Sequence, residues 1–184
     1  MPNDSAAHGV HIGFGVDIVA RRPANWLDLC CGSGRALLDA ASVLDTRITG
    51  VDLVDFFAGP APATVELVAA PVGTWRPARA YDLITCVHGL HYVGDKLGLL
   101  ARAASWLTPD GLFVANFDVS SVKAPNVTKA LRLAGFHYNA RTRRIRLDGH
   151  AAVDLPFDYL GADDSAGPNY TGQPAVDSYY TYHG

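Results

Sequence analysis

What this chain of 184 residues lacks narrows its class before any motif is read. Cysteine is scarce, with three in all, and two of them, Cys30 and Cys31, are adjacent inside an expected strand with Cys86 in another, so no disulfide framework is possible. That usage suits a reducing cytoplasm. Positive charge is not in surplus either: 15 Lys and Arg stand against 18 Asp and Glu, a net charge of -3. The broad cationic field that grips many phosphates is therefore missing, and nucleic acid is a disfavoured partner. No apolar run nears the roughly 20 residues that cross a bilayer, and the N-terminus has no basic segment followed by an apolar core. The expectation is a soluble, unexported protein with no membrane association. Internal repeats and low-complexity tracts are absent too. The length, with 49% hydrophobic composition, fits one well-buried domain and leaves no room for two of ordinary size.

What is present centres on Trp26 to Leu38, where an apolar run ends at Cys31, passes Gly32 and Gly34, and gives way to helical periodicity over Ala36 to Leu44. The glycines let the backbone turn tightly and approach a ligand closely, and the helix N-terminus then aims its free N–H groups at it. This reads as a site for a nucleotide-sized ligand. A dehydrogenase fingerprint would place a third Gly or Ala three residues beyond Gly34. Leu37 stands there, so no pyrophosphate is implied. Asp28 before the turn and Asp52 at the end of the second strand sit where a ligand with an amino acid end and a ribose would use them.

Along the chain, residues 1–24, with Gly9, Gly13 and Gly15, read as an irregular arm or flap. Strands are expected at Trp26–Cys31, Ile48–Asp52, Val65–Ala69 and Tyr81–Val87, the last apolar enough to be buried on both faces. Asp95 can cap a helix whose stripe runs through Leu97, Leu100, Ala101, Ala104 and Leu107, with Pro109, Asp110 and Gly111 stopping it. Leu112–Phe117 is the next strand, and Pro125 opens a helix closed by Gly135. Beyond it, Phe136–Asn139, Arg143–Leu147 and Val153–Leu160 read as short antiparallel strands, with Asp148-Gly149 as a hairpin turn. The fold class is α/β: a doubly wound sheet, mostly parallel, with an antiparallel C-terminal edge. The domain proper would span 25–160, and 161–184 would be a Tyr-rich tail packed on it.

The stretch Asp28-Leu29-Cys30-Cys31-Gly32-Ser33-Gly34 resembles the first motif, acid-x-Gly-x-Gly-x-Gly, of the class I S-adenosylmethionine-dependent methyltransferases of small-molecule type. The likeness extends through Tyr81 to Tyr92 and Leu107 to Val114, over roughly residues 25–135. It implies a Rossmann-like fold, S-adenosyl-L-methionine as cofactor, and methyl transfer to a small polar or aromatic acceptor. It also implies that Asp28, Cys30, Gly32, Ser33 and Gly34 hold the methionine end, that Asp52 accepts hydrogen bonds from both ribose hydroxyls, and that Leu53 packs on adenine. Cys30 departs from the glycine of the pattern, which is tolerable where the backbone need not adopt positive φ. Where the family often has an Asp for the adenine amino group, this chain has Ala69, Ala70 and Pro71, and backbone groups or stacking on Trp75 would take over. In the resembling enzymes the stretch Leu90-His91-Tyr92 lies beside the methyl group, which makes His88, His91 and Tyr92 the catalytic candidates.

Each candidate has a plainer reading. Either histidine titrates near neutral pH and suits proton handling, or packs and bonds a backbone carbonyl. The spacings His88-x-x-His91 and His8-x-x-His11 permit metal, but no Cys or carboxylate completes a ligand set and none is expected. Cys30 and Cys31 read as small core residues, not nucleophiles. Arg141, Arg143, Arg144 and Arg146 form a basic run that suits a solvated hairpin edge or, in a less favoured reading, RNA methylation. The tail either folds over the site, with Phe14 from the arm and Tyr170, Gln173 and Tyr179 as substrate contacts, or packs along the sheet or at a homodimer contact. A protein that binds the cofactor as a non-catalytic partner subunit is the alternative to an enzyme.

Overall fold

The computed structural model describes residues 15–169, 172 and 174–184. Phe14, Tyr170 and Gln173, expected at the substrate, and His8 and His11 lie outside the described residues. Within the segment read as an irregular arm, Ile18–Arg21 forms a short helix, α1, whose N-cap Asp17 accepts a hydrogen bond from the Ala20 N–H. Ile18 is fully buried, which ties this turn to the sheet.

The sheet follows from residues that bury on both faces. In β1 (Asn25–Leu29) the side chains alternate: Trp26 joins one apolar cluster, while Leu27 and Leu29 join the other. The turn after β1 leads into α2 (Arg35–Ala41), and β2 (Arg47–Asp52) and β3 (Val65–Ala69) follow. Both β2 and β3 run parallel to β1, in the order β3-β2-β1. No helix covers the crossover 53–64 that joins them, nor 70–80 after β3. The chain then returns to the other side of β1 as β4 (Tyr81–Cys86). It continues through a 3-10 turn at Gly89–Tyr92 into α3 (Lys96–Ser105) and then β5 (Leu107–Asn116). As expected, Asp95 caps α3, accepting from the Gly98 N–H at 2.9 Å. Helix α3 stops at Ser105, ahead of the breaker triplet. Pro109, Asp110 and Gly111 lie inside β5, at an irregularity that shifts the β4–β5 register.

A 3-10 turn at Val119–Ser121 leads into β6 (Val122–Lys123), α4 (Val127–Leu133), β7 (His137–Asn139) and β8 (Arg144–Asp148). The order β3-β2-β1-β4-β5-β8-β7 completes the seven-stranded sheet, with β8 antiparallel to both its neighbours. The α/β class and antiparallel edge expected from the sequence are therefore present. Helices α1 and α2 contribute to the cluster around Trp26, and α3 and α4 to that around Leu27.

The last fifth of the chain departs from expectation. Asp148-Gly149 is no hairpin turn: the Gly149 N–H bonds the Gly111 carbonyl at 2.7 Å, and the next strand does not return along β8. That strand, β9 (Phe157–Asp163), begins four residues later than read and joins a separate three-stranded sheet in the order β6-β10-β9. Its centre, β10 (Asp177–Tyr182), comes from the tail read as loop-like. It runs antiparallel to β9 and parallel to β6. Among the described residues no helix is long and apolar enough to cross a membrane.

Candidate active site

The direction of chain travel reverses between β1 and β4, and their carboxyl ends diverge there into a crevice. A cavity of about 690 Å³ occupies it. The turn after β1 and the start of α2 contribute Asp28, Cys30, Cys31, Gly32 and Ala36, the end of β2 contributes Asp52, Leu53 and Val54, and the segment after β4 contributes Val87, His88, Gly89 and Tyr92. A second lobe of about 270 Å³ shares Cys30, Leu53 and Tyr92 with it and extends between Pro71–Gly73 and the start of α3.

Strand register places the first acid. Asp28 pairs with Thr85 across β1 and β4, so the Thr85 hydroxyl donates to Asp28 Oδ1 while accepting from Trp26 Nε1 at 2.9 Å. Burial pushes the Asp28 pKa up to about 7, against the opposing pull of the Thr85 bond and with a further rise from Asp52. At the end of the adjacent strand, Asp52 accepts from the Gly32 N–H at 2.8 Å through Oδ2 and from the Val54 N–H at 3.2 Å through Oδ1. Two carboxylates thus flank one turn, and one of them clamps it.

The turn is left-handed at three positions: Cys30 at φ 58°, Gly32 at 60° and Gly34 at 71°. Cys30 therefore adopts the positive φ that its tolerance was expected to avoid. The wall facing it explains how its side chain fits. A Cβ on Gly89 would collide with the Cys30 side chain and lie 2.9 Å from Cys86 Sγ, so the glycine opposite leaves room for the thiol. Cys86 is buried in the core, whereas Cys30 and Cys31 are half-buried, each packed against a core cluster while also lining the cavity. Burial, reinforced by Asp28 and Asp52, pushes the Cys31 thiol up to about 12, which keeps it from acting as a nucleophile.

The remaining sequence candidates separate. His88 and Tyr92 line the main cavity. His91 does not: it is 1% exposed, its carbonyl accepts from the Val176 N–H at 2.8 Å, and burial lowers its pKa with help from His88. Ser33 and Gly34 shape the turn without lining either lobe: the Ser33 carbonyl accepts from the Ala58 N–H at 2.9 Å, and Gly34 is the N-cap of α2. Trp75 packs edge-on against Trp106, with ring centroids 5.8 Å apart, and lines neither lobe. Tyr179, on β10, is exposed and lines neither lobe. Its neighbour Tyr180 is buried, its hydroxyl donating to Asp95 Oδ1 and accepting from the Leu97 N–H, each at 3.0 Å. Lys96 adds a second tie: fully buried, it donates to the Val93 carbonyl at 3.0 Å, to Ser178 Oγ at 2.9 Å and to the Val176 carbonyl. Burial lowers its pKa to about 8.

Asp95 and Arg102 in the second lobe were missed as site residues. Asp95 carried the signal of a helix cap, and nothing local marks an arginine seven residues further on α3 as facing a cavity. In the basic run, Arg146 forms a forked ion pair with Asp148, and the Arg144 guanidinium packs against Gly15.

The fold and its switch-point cleft are those of the class I S-adenosylmethionine-dependent methyltransferases. A family model described as a methyltransferase domain matches residues 15–149, and the chain belongs to that family. It is 33% identical over 115 residues to trans-aconitate 2-methyltransferase of Streptomyces avermitilis, covering 55% of this chain and 43% of that protein. The chain thus spans less than half the length of that relative. Among solved structures, the N-methyltransferase NodS of Bradyrhizobium japonicum WM9 superposes with a TM-score of 0.54 at 18% identity, over 72% of this chain and 89% of NodS. NodS in complex with S-adenosyl-L-homocysteine gives a TM-score of 0.54 at 16% identity, over 79% and 86%. At such identities the likeness is one of fold.

Proposed function

We propose that the protein binds S-adenosyl-L-methionine in the switch-point cleft and transfers its methyl group to a small polar or aromatic acceptor. The observation that carries this reading is the pair of carboxylates, Asp28 and Asp52, on either side of the left-handed turn and on one cavity. The donor set fits the cofactor. A buried carboxylate with a pKa near 7 gains from a cationic amino group beside it. Each Asp52 oxygen, already holding one backbone N–H, retains a lone pair for a ribose hydroxyl. When bound, the cofactor supplies an electrophilic methyl group on a sulfonium.

The chain's own residues then hold the acceptor in line and exclude water, the two effects that dominate such a displacement. Val54, Val87 and the Tyr92 ring in the lining of the main cavity suit an aromatic or largely apolar acceptor. His88, on the same cavity, takes the proton when the acceptor is a hydroxyl. The buried His91 is instead tied to the C-terminal segment, its carbonyl accepting from the Val176 N–H.

Calorimetry with S-adenosyl-L-homocysteine tests the cofactor reading. Micromolar binding is expected, and Asp52→Ala should abolish it; unchanged binding by that variant would overturn the assignment. Once an acceptor is found, His88→Asn should lower kcat about 10²-fold for a hydroxyl acceptor and leave product binding intact. An equal loss in both would instead make His88 a binding residue.

A further inference from the structure

The second lobe has two unlike walls. Pro71, Val72 and Gly73 offer no side-chain polar atom, whereas α3 and its cap bring Asp95 and Arg102 to the opposite side. Asp95 Oδ1 is engaged by the Gly98 N–H and the Tyr180 hydroxyl. Its Oδ2 lies 4.0 Å from Arg102 Nη1, beyond hydrogen-bond reach. Arg102 Nε and Nη2 are buried and have no hydrogen-bond partner among the described residues. Buried donors left without an acceptor destabilise the state that leaves them so. One wall therefore offers an acceptor and a set of donors side by side, both awaiting a planar polar edge.

We propose that Asp95 and Arg102 read the edge of the adenine ring, Asp95 accepting from the 6-amino group and Arg102 donating to the adjacent ring nitrogen. The inference rests on the cofactor reading above. A ribose held by Asp52 directs its base past Leu53, the next residue, and Leu53 is shared by the two lobes. The base then enters between the apolar wall of Pro71–Gly73, which meets its face, and the polar wall of α3, which meets its edge. Tyr180 acts at one remove, because its hydroxyl bond fixes which Asp95 oxygen faces the lobe.

The test is a calorimetric comparison of three probes on the purified full chain: S-adenosyl-L-homocysteine, its 6-oxo analogue S-inosyl-L-homocysteine, and S-ribosyl-L-homocysteine, which has no base. Wild type should prefer the adenine compound over the 6-oxo compound by at least tenfold, since the latter presents an acceptor to Asp95 and a donor to Arg102. Arg102→Met should weaken the adenine compound about tenfold. Asp95→Asn, which keeps the helix cap, should narrow the adenine preference about tenfold. Neither variant should change binding of the base-free compound. Unchanged adenine affinity and preference in both variants would overturn the proposal, as would an equal loss for the base-free compound. Failure of wild type to bind any of the three would instead bring down the cofactor reading.

Discussion

Cys30 concentrates the local conflict in the site. An L-residue at φ 58° carries a cost of about 1–2 kcal/mol, and its thiol occupies space that only a glycine at position 89 leaves open. Gly89→Ala should therefore destabilise the fold by about 1–3 kcal/mol in urea unfolding. The loss should shrink when Cys30→Gly is added, because the two side chains compete for one volume; additive losses would refute that coupling. Asp28 sets a pH dependence whose sign is fixed by its raised pKa. The folded-state value of about 7 exceeds the ordinary carboxyl value of 3.8, so the stability it contributes is full below about pH 3.8 and lost as pH rises through 7. Ligand binding should run the other way, because only the ionised carboxylate pairs with an amino group. Affinity for S-adenosyl-L-homocysteine is expected to rise several-fold between about pH 6 and 8 in wild type and to stay flat in Asp28→Asn, as read by calorimetry. Asp28, Gly32 and Gly34 were legible because the turn chemistry is contiguous in sequence, and Asp52 because it ends the next expected strand. The sign of φ at Cys30 was not, since a cysteine carries no preference for the left-handed region.

At the level of elements, β10 was the least legible. Strands with an apolar inner face announce themselves by alternation, but here the inward positions are Ser178 and Tyr180, and their partners are Lys96, Asp95 and backbone groups. Polar inward residues cancel the period-two signal. Lys96 was invisible for the same reason: an isolated lysine at a helix start is ordinarily solvated, and only the approach of β10 buries it. The hairpin expected at Asp148-Gly149 failed because β9 finds its partner in a strand still further along the chain, a choice no local turn encodes. Tyr180→Phe removes one donor and leaves Asp95 Oδ1 and the Leu97 N–H each short of a partner. It should cost about 1–2 kcal/mol and speed amide exchange in β10 without altering exchange in β1 or β2. Uniform acceleration throughout the sheet would show that β10 unfolds only with the whole protein.

The molecule reaches a full class I sheet with few covering elements: the crossovers 53–64 and 70–80 carry no helix, and their loops form the rim of the cleft. The exposed Leu53 and Val54 lie on that rim. Binding of a ligand that touches β1, β2 and the turns beyond β3 and β4 should be felt globally. S-adenosyl-L-homocysteine at about 100 times its Kd should add about 2.7 kcal/mol, which for a chain of this size raises Tm by about 5–10 °C in a thermal scan. A Tm that ignores the ligand would mean it binds folded and unfolded chains alike. Fold class was readable at this scale because it depends on the order of apolar segments, whereas the second sheet depends on contacts across more than 80 residues. That distance also sets a schedule for the newborn protein. Tyr180 follows Asp95 by 85 residues, roughly 4–17 s of synthesis at about 5–20 residues per second. During that interval the ribosome carries a sheet whose main cavity has already been translated, while the wall that bears Asp95 has no strand behind it.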